Sequence, residues 1–226
     1  MTLLDWIAVI SLAIAIIFLL FIFLLMVGII KANKEQRKLR LIRTRNKRKR
    51  KVIARKKRQL KKKKNKRIVG SFLCLLVTVL GATTSMYAIY YQSTNLSQED
   101  KKVIVSGYYN LRDIEEKLQL AESGEGDRAE QNLANLSLRL AAFALNKADY
   151  RINGEGQIRI NRYYSSMKEL GINLSSQSKG FYKDASLLES FRGDIERVKK
   201  NEQAVIKQFK INEKSLAEKN ETIKRS

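Results

Sequence analysis

The chain of 226 residues contains no histidine, no proline and one cysteine, Cys74. Each absence removes a class of explanation. Without His, no imidazole can act as a general base, and zinc loses its commonest nitrogen ligand. A single Cys allows no intrachain disulfide, and Cys74 lies inside an apolar run. The lack of Pro favours long uninterrupted helices over a loop-rich β fold. There is no Gly-rich phosphate loop and no metal-ligand spacing. The chain therefore reads as a non-enzyme with no cofactor and no metal.

Charge of either sign is missing from two long stretches. Residues 6–30, WIAVISLAIAIIFLLFIFLLMVGII, are 25 in a row without a charge, and so are residues 68–92, IVGSFLCLLVTVLGATTSMYAIYYQ. At ~1.5 Å of rise per residue, each is long enough to cross the ~30 Å hydrocarbon core of a bilayer. The first run is not read as a cleaved signal peptide, because nothing basic precedes it and it is too long. Neither run holds an ionisable side chain that would mark a transport path. Gly81 and Ser85 form a small-xxx-small pair that suits helix packing in the second run.

Acids are nearly missing from the segment between them. Residues 31–67 hold 22 basic residues and one acid, Glu35, a net of +21 out of +23 for the chain. The part after Tyr91 is nearly balanced, with 23 bases and 20 acids. Short Lys/Arg-rich loops stay on the cytoplasmic side. This predicts a short outer N-terminus (1–5), a first span (6–30), a cytoplasmic polybasic loop (31–67), a second span (68–92) and an extracytoplasmic domain (93–226). Trp6 at one end of the first run and Tyr87, Tyr90 and Tyr91 at the far end of the second fit the headgroup region as membrane-interface anchors.

Topology needs far fewer than 22 positive charges. The surplus is assigned to anionic lipid headgroups or an acidic partner, through Lys47, Arg48, Lys49, Arg50, Lys51, Arg55, Lys56, Lys57, Arg58, Lys61, Lys62, Lys63 and Lys64. Nucleic acid is not the expected partner: the block lacks aromatic residues for base stacking and a glycine-rich turn, and it is tethered between spans. Leu39, Ile42, Ile53 and Leu60 would share one side of a helix, as in a surface-lying amphipathic helix. A solvated, partly disordered loop is the equal alternative.

Residues 93–226 read as helices. Ser97 with Asp100 resembles a capping box, opening a helix to about Ala121 with Val103, Tyr108, Leu111, Ile114 and Leu118 on one face. Asp127 with Glu130 is a second cap signal, before a helix through residue 150 that carries Leu133, Leu136, Leu140, Phe143 and Ala144. Asn153-Gly154 marks a turn, and Ile158 and Ile160 permit a very short hairpin. The same stretch imitates a calcium loop, but Arg151 and Arg162 stand where acidic ligands are needed. A third helix is expected from Arg159 to Leu170, ending at Gly171. A last helix of about 182–224 carries a coiled-coil-like seam: Leu188, Phe191, Ile195, Val198, Glu202, Val205, Phe209, Asn212, Leu216, Lys219 and Ile223. At about 40 residues it would be ~60 Å long and outrun the bundle.

The expected fold is all-α: a two-span transmembrane helical hairpin followed by an extracytoplasmic helical bundle with a long coiled-coil-like C-terminal helix. The expected role is a non-catalytic accessory or scaffold subunit of a bacterial cell-envelope assembly. Its partners would be membrane proteins of a larger complex, anionic lipid headgroups, and a second copy of the chain through the C-terminal helix or second span. The alternatives are a membrane sensor with a helical outer domain and a surface immunity or exclusion protein.

Overall fold

The structure, a computed structural model, describes residues 2–42, 44, 46–122, 126–177 and 183–218. The described residues form helices and their connections, with no strand among them. The helices are α1 (Leu3–Leu41), α2 (Lys47–Thr94), α3 (Gln98–Glu122), α4 (Gly126–Ala141), α5 (Gly154–Gln177) and α6 (Ala185–Phe209), with a 3₁₀ turn at Ala142–Leu145. Contacts divide the chain into two units, Met1–Tyr91 and Gln92–Ser226.

In the first unit, α1 opens on a reciprocal cap. Thr2 N donates to Asp5 Oδ2 at 2.6 Å, and Asp5 N donates to Thr2 Oγ1 at 3.4 Å. This satisfies two amides that a helix start otherwise leaves unpaired. Close approaches link ascending positions of α1 to descending positions of α2, the order of an antiparallel pair. A Cβ at Gly81 would lie 2.8 Å from Ser11 O and 3.3 Å from Ala15 Cβ, one at Gly70 would touch Leu25, and Arg67 Nη1 donates to Gly28 O at 2.5 Å. Buried Ala8, Ala15, Ser85 and Ala88 belong to the same small-residue faces. Small residues let helix backbones approach closely. The large apolar side chains, including Leu12, Ile16, Leu20 and Phe23 of α1 and Phe72, Leu76 and Leu80 of α2, stay exposed. By length and composition both helices can cross a membrane.

The second unit is a ring of four helices. α4 packs on α3 and α5, and α6 packs on α5 and closes back on α3. Apolar residues three and four apart build its core: Ile104, Leu111, Ile114 and Leu118 from α3; Leu133, Leu136 and Leu140 from α4; Ile160, Tyr163, Met167, Leu170 and Leu174 from α5; Phe191, Ile195, Val198 and Val205 from α6. Each repeat places one stripe inward. Ser97 begins α3 by accepting from Asp100 N at 3.0 Å. The Asp127 side chain lies outside what is described.

Four boundaries differ from the sequence expectation. α4 stops at Ala141, and Phe143 enters the core from the 3₁₀ turn while Ala144 is exposed. The chain beyond is pulled straight by tertiary bonds, Ala148 N to Asn161 Oδ1 at 2.9 Å and Asp149 N to Asp100 Oδ2 at 3.2 Å. No hairpin forms at 153–160. Asn153 Oδ1 instead accepts from Gly156 N at 2.8 Å, an N-cap bond that starts α5 five residues earlier than expected. Nor does Gly171 end α5, which runs through it to Gln177. Gly171 is there for space, since a Cβ would fall 2.7 Å from Leu140 Cβ and closer still to Ala141 N of α4.

The fourth correction concerns the C-terminal helix. α6 has 25 residues and ends at Phe209, rather than continuing to about 224. Lys210 turns left-handed at φ 51°, and both Lys210 N and Ile211 N donate to Ile206 O. Ile211 and Phe209 then pack on the core. This is the apolar contact that commonly accompanies a left-handed helix stop. Residues 213–218 form a further helical turn, while Lys219 and Ile223 of the expected seam lie outside the described residues.

Candidate functional site

The basic block is helical on both sides of residues 42–46. α1 continues past Ile30 to Leu41, and α2 begins at Lys47, well before the apolar run starts at Ile68. The two extensions are joined through residues 42–46. The four residues of the expected stripe therefore do not share one helix: Leu39 of α1 and Leu60 of α2 both line one groove, together with Glu35, Lys38, Lys56, Gln59 and Lys63. Ile53 is half-buried, and Ile42 stays exposed in the connection.

The cations occupy the remaining circumference. Lys47, Arg48, Lys49, Arg50, Lys51, Arg55, Lys56, Arg58, Lys61, Lys62 and Lys63 are exposed, whereas Lys57 and Lys64 are half-buried. Arg67 reaches α1, donating to the Gly28 carbonyl. Trp6 is exposed in the first turn of α1. Tyr87, Tyr90 and Tyr91 are exposed near the end of α2, with the Tyr87 and Tyr91 rings 6.4 Å apart.

The second unit holds two buried polar networks. In one, Glu202, only 1% exposed, pairs with Arg112 Nη1 at 2.5 Å and accepts from Tyr163 Oη at 3.5 Å. The Arg112 guanidinium lies 3.8 Å from the centre of the Tyr108 ring, with Glu213 3.8 Å from its Nη2. Gly107 lacks the Cβ that would occupy the place of the Tyr163 hydroxyl. Burial pushes the Glu202 carboxyl above its ordinary range against the pull of Arg112, and it raises Tyr163 strongly. Burial would lower Arg112, but the attraction of Glu202 and their hydrogen bond hold it above its usual value.

In the other network, buried Asp100 accepts from Tyr164 Oη at 3.0 Å, Ser97 Oγ at 2.7 Å and Asp149 N at 3.2 Å. Burial and the adjacent Asp100 carboxylate raise the Tyr164 phenol. The network floors an open cleft of about 500 Å³ rimmed by Leu145, Lys147, Tyr150 and Arg151. Arg151 is engaged by Asp149 at 2.5 Å. Among the described residues no group of three or more His, Cys, Asp or Glu is placed to hold a metal ion.

Sequence reasoning saw Asp100 as a capping residue and Glu202 as a flaw in an apolar seam. The signal was present in both cases, a carboxylate at a core register. The partners were not legible, because Arg112 and Glu202 are 90 positions apart and Asp100 and Tyr164 are 64 apart. No protein-family model, curated protein or solved structure matches this chain.

Proposed function

We propose that the protein is a non-catalytic two-pass membrane protein, an accessory or scaffold subunit of a cell-envelope assembly. Its two apolar helices form a transmembrane hairpin, the basic extensions lie on the cytoplasmic side, and the second unit stands outside as a docking body for partner proteins. One observation carries this reading. α1 and α2 bury only a seam of small residues and leave their large apolar side chains outward, while the second unit closes its own core. Outward Leu, Ile and Phe need an apolar solvent or partner spans. The Lys/Arg excess supports a basic-side-in orientation, and Trp6 with Tyr87, Tyr90 and Tyr91 supports an interface at the opposite ends. The cations nearest the spans meet anionic headgroups in this arrangement.

The test is labelling of intact cells in a Cys74→Ala background. Gln203→Cys, exposed on α6, should react with an impermeant thiol reagent, and Lys49→Cys should react only after permeabilisation. The reverse pattern would sink the orientation. Purification in mild detergent should retain partner membrane proteins with the full chain and lose them when residues 92–226 are deleted. Retention by the deleted form would remove the docking role of that unit.

A further inference from the structure

One segment of the second unit is tied to the end of the apolar run. Asn153 N donates to Ser93 O at 2.9 Å, and Ser93 is the first residue after the run of 68–92. Both residues belong to the second unit, so the bond is internal to it. In the two-span reading, on which this inference rests, covalent continuity puts Ser93 at the outer headgroups. A headgroup layer is roughly 5–8 Å deep, half the difference between the whole bilayer and its hydrocarbon core. The bond therefore holds the segment before α5 close to that layer.

This segment turns apolar side chains outward from a fixed backbone. Ile152 N donates to Asp149 O at 3.1 Å, closing a turn with Tyr150 and Arg151 at its tip. Gln157 Nε2 donates to the carbonyls of Tyr150 at 3.1 Å and Ile152 at 2.6 Å. Ala148 and Ile152 are buried on either side of the tip, while Tyr150 is 80% exposed. Leu145, 89% exposed, lines the same open cleft as Tyr150 and Lys147. Among the described residues of the second unit no other large apolar side chain is as bare. Three residues span at most about 10 Å, so Tyr150 stays within reach of the layer beside Asn153.

The chemistry of these side chains selects a lipid surface. Tyr joins an apolar ring to a polar hydroxyl, the combination that suits the headgroup boundary. Charge around the cleft is mixed, Lys147 and Arg151 against Glu99, Asp100 and Asp149. It favours neither an acidic nor a basic partner, and zwitterionic lipid suffices. Two side chains would hold a free protein on a membrane only weakly. Here the span is the tether, which makes their contact intramolecular and raises their effective concentration at the surface.

We propose that Leu145 and Tyr150 insert into the outer headgroup layer and seat the second unit on the lipid surface.

The test uses the full chain with Cys74→Ala in phosphatidylcholine nanodiscs, with a nitroxide on Lys147→Cys. Ile172→Cys is the reference, 46% exposed on α5 and roughly 27 Å along that helix from Gly154. The ratio of relaxation by oxygen to relaxation by a water-soluble nickel complex should be at least fivefold higher at Lys147 than at Ile172. Leu145→Ser with Tyr150→Ser should bring the two sites within twofold. Both side chains are exposed, so the helical circular dichroism and the urea midpoint should be retained. Equal ratios at the two sites before the Ser substitutions would overturn the proposal. A raised ratio that survives them would remove Leu145 and Tyr150 as the inserted groups. Shielding of the Lys147 label from both reagents would assign this face to a protein contact instead. Failure of the two-span reading shows separately, in the labelling of Gln203→Cys and Lys49→Cys.

Discussion

Replacing Arg112 by Met should destabilise the second unit by about 3–5 kcal/mol at pH 8, the range for stranding one partner of a buried ion pair. Arg112 keeps 21% of its side chain exposed, which places the value in the lower part of that range. Glu202 is 1% exposed, its Arg112 partner sits at 2.5 Å, and among the described residues the other bond to the carboxylate is a long one from Tyr163 at 3.5 Å. For a unit of about 130 residues the shift in Tm is about 10–18 °C. The pH dependence has a defined sign. Burial already raises the Glu202 carboxyl, and Arg112 is the main influence holding it down. Without Arg112 the folded-state value climbs further above the unfolded value of about 4.3. Stability from the protonated native carboxyl is then full below that unfolded value and lost as pH rises through the folded one. The Arg112→Met deficit should shrink between pH 8 and pH 5. Adding Glu202→Leu should recover at least half of it and flatten the pH dependence, because an apolar pair needs no charge compensation. Near-UV circular dichroism in urea, with the chain in mild detergent, reports the transition through the packed Tyr108, Tyr163 and Tyr164. A deficit below about 0.5 kcal/mol at pH 8, or one independent of pH, would refute the assignment of Glu202 as a charge held by Arg112.

Two further outcomes follow from glycine and left-handed geometry. Gly171→Ala should cost about 1–3 kcal/mol by forcing α5 from the α4 backbone, whereas exposed Gly193→Ala, with nothing within 4 Å, should gain about 0.5–1 kcal/mol; comparative urea midpoints check both. Lys210→Gly should stabilise the unit by about 1 kcal/mol by relieving a left-handed backbone at φ 51°, and Lys210→Val should do the reverse, read as opposite shifts in Tm.

The core stripes of the second unit were legible because helical periodicity is a local property. Leu111, Ile114, Leu133, Leu140, Phe191 and Val198 announce themselves three and four residues apart, and each is buried. Periodicity also misled. The apolar spacing continues past Phe209, so the pattern promised one long helix, but Ile211 gains more from the core than from another helical turn. Gly171 looked like a helix stop because its common local use is a C-terminal cap. Its use here is set by Leu140 and Ala141, 30 positions earlier. The basic block shows the same division. Its charge and lack of acid were plain, while its continuity with the second apolar run depended on the whole length of α2.

The sequence by itself determined the helical class, the two apolar runs, the segregation of charge between them and most of the core. These follow from side-chain chemistry summed over neighbours along the chain. Only the tertiary structure decided that Arg112 answers Glu202, that Tyr164 and the Asp149 amide answer Asp100, that α6 ends at Phe209, and that Leu39 and Leu60 line one groove. Each of those depends on which distant groups share a dry space. Free energy there is set by distance and desolvation between residues far apart in the chain, which no local window contains.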